Sequence, residues 1–292
     1  MSIWKALFGG SEEDSEQEKK TKEDGQFDLF KYDGIKALRM GQFDYAVKCL
    51  ERALEMREDP EARDSLAQAL LRRGDLDEAM NQYCKLAELE PDNDALLSQM
   101  AHIAYMQEDY EHMAQLCEQS IALNADNAQA HYQRAQAYLG VHDVINAIAQ
   151  LTTAIKLKDD LGDAYLLRGQ TLLKLGDADS ADADATYLME RVGDNEDVLL
   201  LKARVVAAKG NRRDAILLYN KVIEQNPFHV DAYRERGKLY FEEGESQKAK
   251  EDADKVMELD PQAMADVNGE YSAEGIEQKV KQAYSNINPF GI

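Results

Sequence analysis

A small apolar position recurs along the chain as Ala46, Ala79, Met113, Ala147, Ala181, Ala215 and Ala249, with one gap of 33 residues and then gaps of 34. Four residues after each stands a second, larger slot, filled by Leu50, Tyr83, Cys117, Leu151, Ala185, Tyr219 and Ala253. A spacing of four places both slots on one face of a helix, and the polar residues between them leave that face as the packing side. Five residues before the first slot a glycine occurs at Gly41, Gly74, Gly176, Gly210 and Gly244, with only Glu108 and His142 breaking the series. Glycine suits a helix that must stop in a left-handed turn, which a side chain would strain. The pattern therefore predicts helix, glycine stop, helix, repeated seven times. An aspartate or similar residue starts the second helix, as in Arg73-Gly74-Asp75-Leu76-Asp77. Prolines 91, 227 and 261 close three units, and Pro60 reads as closing the first one slightly late.

This order of large residue, glycine or alanine, aromatic, alanine, large residue and proline resembles the tetratricopeptide repeat family over about residues 27 to 261. In the slots similar to the family's Trp, Gly and Tyr stand Tyr233, Gly237 and Tyr240 in the seventh unit, and His131, Ala135 and Tyr138 in the fourth. The resemblance implies an all-α fold, a right-handed α-solenoid of stacked antiparallel helix pairs closed by a C-terminal capping helix. Stacking is what the physics asks for, because two short helices alone cannot cover their apolar stripe.

Four segments follow. Residues 1–10 form a short amphipathic segment in which Ile3, Trp4, Leu7 and Phe8 share a face; 11–26 an acidic flexible linker; 27–261 the repeats; and 262–292 a capping helix and tail. The linker expectation rests on seven acidic and three basic side chains among residues 11 to 24, with no large apolar residue. Ile276, Val280 and Tyr284 give the capping helix its apolar stripe, and the tail from Asn286 is read as lying back on the last repeat, with Asn288-Pro289-Phe290 as a short docking peptide the alternative.

The resemblance further implies that the first helix of each pair lines a concave groove. Its groove positions here are Lys31 and Ile35, Asp64 and Gln68, Ser98 and His102, Tyr132 and Gln136, Leu166 and Gln170, Leu200 and Arg204, and Arg234 and Lys238. The polar and charged ones, Lys31, Gln68, Ser98, His102, Tyr132, Gln136, Gln170, Arg204, Arg234 and Lys238, are the partner-binding candidates. Amide, hydroxyl and imidazole groups in the middle suit the backbone of an extended peptide. The basic trio at the far end suits a carboxylate, unless neighbouring acids such as Glu235 or Glu242 neutralise it. The carboxylate clamp of chaperone-binding relatives has no counterpart, since Ile35, Ser65, Ala95 and Gln99 occupy its positions.

Charge narrows the partner. With 34 basic and 56 acidic residues the chain carries a formal charge of -22, which repels nucleic acid and anionic membranes. Cys49, Cys84 and Cys117 show no close pairing and read as structural thiols of a reducing compartment, consistent with a cytoplasmic location. No phosphate loop, HExxH or GxSxG occurs, so neither a catalytic role nor a cofactor or metal is expected. The run Gly176-Asp-Ala-Asp-Ser-Ala-Asp-Ala-Asp lacks the glycine and glutamate of a calcium loop; it reads as a helix start capped by Asp177 or Asp179, with Asp182 and Asp184 facing water. The sequence thus points to a scaffold or adaptor holding an extended segment of a protein partner. Alternatives are an assembly factor docked through residues 1–10 and an enzyme's regulatory subunit. Oligomeric state and the partner's identity are not encoded in the repeat.

Overall fold

In the computed structural model residues 12–260 are described, and among them the secondary structure is fourteen helices and no strand. The expectations for residues 1–10, for Pro261 and for the segment 262–292 fall outside the described residues. The chain divides into two compact units, Met1–Asp143 and Val144–Ile292. In unit 1 the helices are α1 (Glu12–Arg39), α2 (Phe43–Met56), α3 (Pro60–Arg73), α4 (Leu76–Leu89), α5 (Asp94–Met106), α6 (Tyr110–Leu123) and α7 (Ala128–Gly140). Unit 2 holds α8 (Val144–Leu157), α9 (Gly162–Lys174), α10 (Ala178–Val192), α11 (Glu196–Ala208), α12 (Arg212–Gln225), α13 (Val230–Glu242) and α14 (Ser246–Leu259). Each unit is an α-solenoid of successive helices packed on their neighbours, with three complete pairs and one further helix.

The two periodic slots form the cores. Ala46, Ala79, Met113, Ala147, Ala181, Ala215 and Ala249 are all fully buried. Leu50, Tyr83, Cys117, Leu151, Ala185 and Tyr219 are buried with them, so one turn of each second helix supplies both contacts. In unit 1 a continuous cluster runs from Ala37 through Leu66, Tyr83 and Ile103 to Ala137. Burial of the Cys117 thiol among these groups pushes its pKa up to about 12, which fits a structural thiol, whereas Cys84 is exposed and does not take that role.

The turn between helices is the same device each time. An N–H just beyond the first helix reaches back five residues to a carbonyl, as Gln42 to Ala37 at 2.9 Å, Asp75 to Leu70 at 3.0 Å, Asp109 to Ala104 at 2.9 Å and Asp143 to Tyr138 at 2.8 Å. Unit 2 repeats it at Asp177, Asn211 and Glu245. The residue before each of these is left-handed: Gly74 has φ 95°, and the two positions without glycine, Glu108 and His142, still adopt φ 57° and 61°. Side chains resist that conformation. Glu108→Gly and His142→Gly are therefore each expected to raise stability by roughly 0.5–1 kcal/mol, read as a higher denaturant midpoint with an unchanged slope.

Three sequence expectations are corrected. Pro60 opens α3 instead of closing a unit: it sits at the first helical turn, where its missing N–H costs nothing, and Asp59 caps the helix by accepting from Ala62 N at 2.9 Å. The stretch expected to be a linker is helical from Glu12, continuous with the first repeat. Glu, Gln and Lys, which fill much of this stretch, are strong helix formers. Finally, Asp182 and Asp184 do not face water. Asp177 does cap α10, accepting from Ser180 N, but Asp184 is 3% exposed and bound by Arg168, and Asp182 receives Lys202 and Lys209.

A candidate peptide-binding cleft

Each unit presents a cleft between alternate helices, floored by a tyrosine from the second helix between them. In unit 1 the cleft encloses about 740 Å³. Asp64, Gln68 and Arg72 line it from α3, Tyr83, Leu86 and Glu90 from α4, and Asn93, Ala95 and Gln99 from the start of α5. Helical spacing explains the set: Pro60, Asp64, Gln68 and Arg72 rise every four residues up one face of α3.

Its electrostatics are acidic. Burial holds the Asp64 carboxyl above the ordinary aspartate range, and Glu90 and Glu61 add to the effect against the opposing bond from Gln68 Nε2 at 2.7 Å. Glu90 accepts from Asn93 Nδ2 at 2.8 Å. Glu61 is already paired with Lys31 at 2.6 Å. Tyr83 is 1% exposed, yet its hydroxyl has no hydrogen-bond partner among the described residues and it lines the cleft floor. Burial drives its pKa upward, with the Asp64 charge contributing.

Four 34-residue periods later the same positions in unit 2 carry different chemistry. Gln68 is replaced by Arg204, Gln99 by Glu235 and Tyr83 by Tyr219. Arg204 Nη2 reaches Glu235 Oε1 at 2.6 Å and its Nε both oxygens at 3.0 Å, while the Tyr219 hydroxyl donates to Glu235 Oε2 at 2.7 Å. Burial opposes the Arg204 charge, but Glu235 outweighs it and holds the guanidinium above its ordinary pKa. The space that remains is about 190 Å³. Unit 2 fills its own cleft.

The sequence candidates sort accordingly. Gln68 lines the open cleft, and His102 lies exposed on the same α5. Ser98 is not among the residues that line the cleft, whereas its neighbour Gln99 is; the Ser98 backbone carbonyl accepts from Gln133 Nε2 at 3.0 Å. Tyr132 and Gln136 meet each other on α7, at 3.4 Å, and Gln170 is half-buried on α9. Lys31 is no free groove cation: it is 8% exposed, and its ammonium binds Asp59 at 2.9 Å as well as Glu61, tying α1 to α3. Nor is the far end a free basic trio, because Arg204 serves Glu235 and Arg234 pairs with Asp231 at 2.6 Å; Lys238 lines the remaining space. Tyr83, Glu90 and Gln99 are the site residues that pattern reading passed over. Tyr83 was hidden by its own regularity, since its slot marks it as core and it also lines the cleft floor.

A family model for the tetratricopeptide repeat matches residues 34–95 and 200–263. The chain carries tetratricopeptide repeats. Such proteins are generally protein-interaction scaffolds. DnaJ homolog subfamily C member 3 of Gallus gallus is 30% identical over 138 residues, covering 42% of this chain; the match spans 27% of that relative. A tetratricopeptide repeat protein from Parabacteroides merdae superposes with a TM-score of 0.66 at 18% identity, over 90% of this chain and all of that one. YrrB, a TPR protein with an unusual peptide-binding site, gives 0.52 at 21% identity over 61% of this chain and 92% of its own. PilF of Pseudomonas aeruginosa gives 0.59 at 19% identity, over 70% and 94%. These structural likenesses bear on the fold. No helix among the described residues is long and apolar enough to cross a membrane, and no cluster there suits a metal ion.

Proposed function

We propose that this protein is an interaction scaffold whose unit 1 cleft, between α3 and α5, holds an extended segment of a partner protein. The observation that carries this reading is the contrast between the two clefts: the unit 2 positions are closed by the chain's own Arg204–Glu235–Tyr219 cluster, and the unit 1 positions are open at about 740 Å³. The side chains that line the open cleft suit a peptide backbone. Gln68, Asn93 and Gln99 each carry an amide able to donate and accept, and they lie on two helices flanking a floor of Tyr83 and Leu86. The peptide-binding site of YrrB, on a similar fold, supports the same use of the scaffold. The proposed location is cytoplasmic, and the proposed role non-enzymatic.

The test is to close the cleft as unit 2 closes its own. In Gln68→Arg with Gln99→Glu, the new pair is expected to fill the space above Tyr83 with little change in thermal midpoint, and affinity capture from the native cell is expected to lose its partner set. A control, Gln170→Ala in unit 2, should keep it. An unchanged set of captured proteins from the closed variant would remove the cleft from the account.

A further inference from the structure

In the unit 1 cleft Asp64 and Glu90 bond only to amides and to no cation, and unit 2 shows what completes the arrangement. There, a guanidinium lies against a carboxylate that also accepts from the floor tyrosine, with Arg204, Glu235 and Tyr219 forming one bonded cluster. In unit 1 the tyrosine is conserved in place and buried, its hydroxyl unpartnered, while the guanidinium is missing and Asp64 and Glu90 have only the amides of Gln68 and Asn93 as hydrogen-bond donors. The nearby cations do not supply the missing charge. Lys31 is taken by Asp59 and Glu61, and Arg72, although it also lines the cleft, stands two helical turns along α3 from Asp64.

Building on the proposed peptide-holding role, we infer that the unit 1 cleft seats a basic side chain, arginine or lysine, of the partner segment, with its cationic head between Asp64 and Glu90 above the Tyr83 hydroxyl. The physical case has three parts. A cation entering this partly enclosed space gains charge-assisted hydrogen bonds, which are shorter and stronger than neutral ones. It also relieves an existing cost, since burial and the neighbouring acids disfavour the ionised form of Asp64. Lastly, Tyr83 is buried except where it borders the cleft, and a carboxylate reoriented by the ligand gives its hydroxyl an acceptor, as Glu235 does for Tyr219. The chain's net charge of -22 favours approach of a basic segment in the same direction.

The experiment uses the full chain and a matched set of fluorescently labelled ten-residue peptides of alanine, serine and leucine, differing only at one central position: arginine, lysine, citrulline or glutamate. Fluorescence anisotropy is expected to show the arginine and lysine peptides bound at least tenfold more tightly than the citrulline peptide, which keeps the shape of arginine without its charge. Asp64→Asn with Glu90→Gln should erase that preference while leaving the circular dichroism spectrum unchanged, and Gln68→Arg should do the same by supplying an internal cation. Equal affinities for arginine and citrulline peptides, or a charge preference that survives in Asp64→Asn with Glu90→Gln, would overturn the inference. A peptide-binding cleft without charge preference would leave the proposed function standing, because loss of all binding in the Gln68→Arg, Gln99→Glu variant reads that role separately.

Discussion

Replacing Arg168 by alanine is expected to destabilise the protein by about 3–5 kcal/mol, because it strands a carboxylate in the interior. Asp184 is 3% exposed and receives the guanidinium through two bonds, Nε to Oδ2 at 2.9 Å and Nη2 to Oδ1 at 2.6 Å. The third arm, Nη1, donates to Thr152 Oγ1 at 3.2 Å, so one side chain on α9 ties α8 to α10. Two periods on, Arg236 of α13 repeats the arrangement, binding Asp252 at 2.9 and 2.5 Å and Asn220 at 2.7 Å. The penalty comes from the unpaired charge and not from the lost pair as such. The double variant Arg168→Met with Asp184→Leu should therefore recover most of the loss, and a denaturant titration of the single and double variants gives the coupling. A double variant as unstable as the single would contradict this account of the pair.

The second large effect concerns the small slot of the repeat. Met113 is its one bulky occupant, fully buried where the other units carry alanine. Met113→Ala is expected to cost about 3 kcal/mol, since the neighbours are shaped around the longer side chain and a cavity remains. The reverse change, Ala79→Met, forces a longer side chain into a site with no exposed surface and is expected to cost about 2 kcal/mol by overpacking. Both are read from thermal or denaturant unfolding. Unaltered midpoints would mean that the slot is plastic and does not fix the approach of successive helices.

The fold was legible in the sequence where a local steric rule had to be met in every repeat. The alanine slot, the larger slot one turn on and the glycine stop recur because helix contact and a left-handed turn admit few residues. Even Glu108 and His142, which break the glycine series, obey the conformation it announces. Asp184 was legible too, and misread: three residues after Ala181 and four before Leu188, it lies on the buried face of α10, so the apolar spacing outranked the polar type. Asp59 before Pro60 was a helix start that the closing role of prolines elsewhere obscured.

The site was less legible, for a different reason. Groove positions follow from the period, but whether a charge there is available depends on partners about one repeat away, and the period does not encode them. Lys31 meets Asp59 and Glu61 from the next repeat, and Arg204 meets Glu235 across 31 residues. Both are engaged within the chain by these contacts. Comparing equivalent positions across units, Gln68 with Arg204 and Gln99 with Glu235, is a sequence operation that exposes the difference once the floor tyrosines show which positions face each other.

The most direct measurement of the central claim is hydrogen–deuterium exchange of the full chain with and without its purified partner. Slowed exchange concentrated in residues 60–72 of α3 and at the start of α5 is the predicted result, abolished in the Gln68→Arg, Gln99→Glu variant. Protection confined to unit 2, or to helices that do not border the unit 1 cleft, would contradict it.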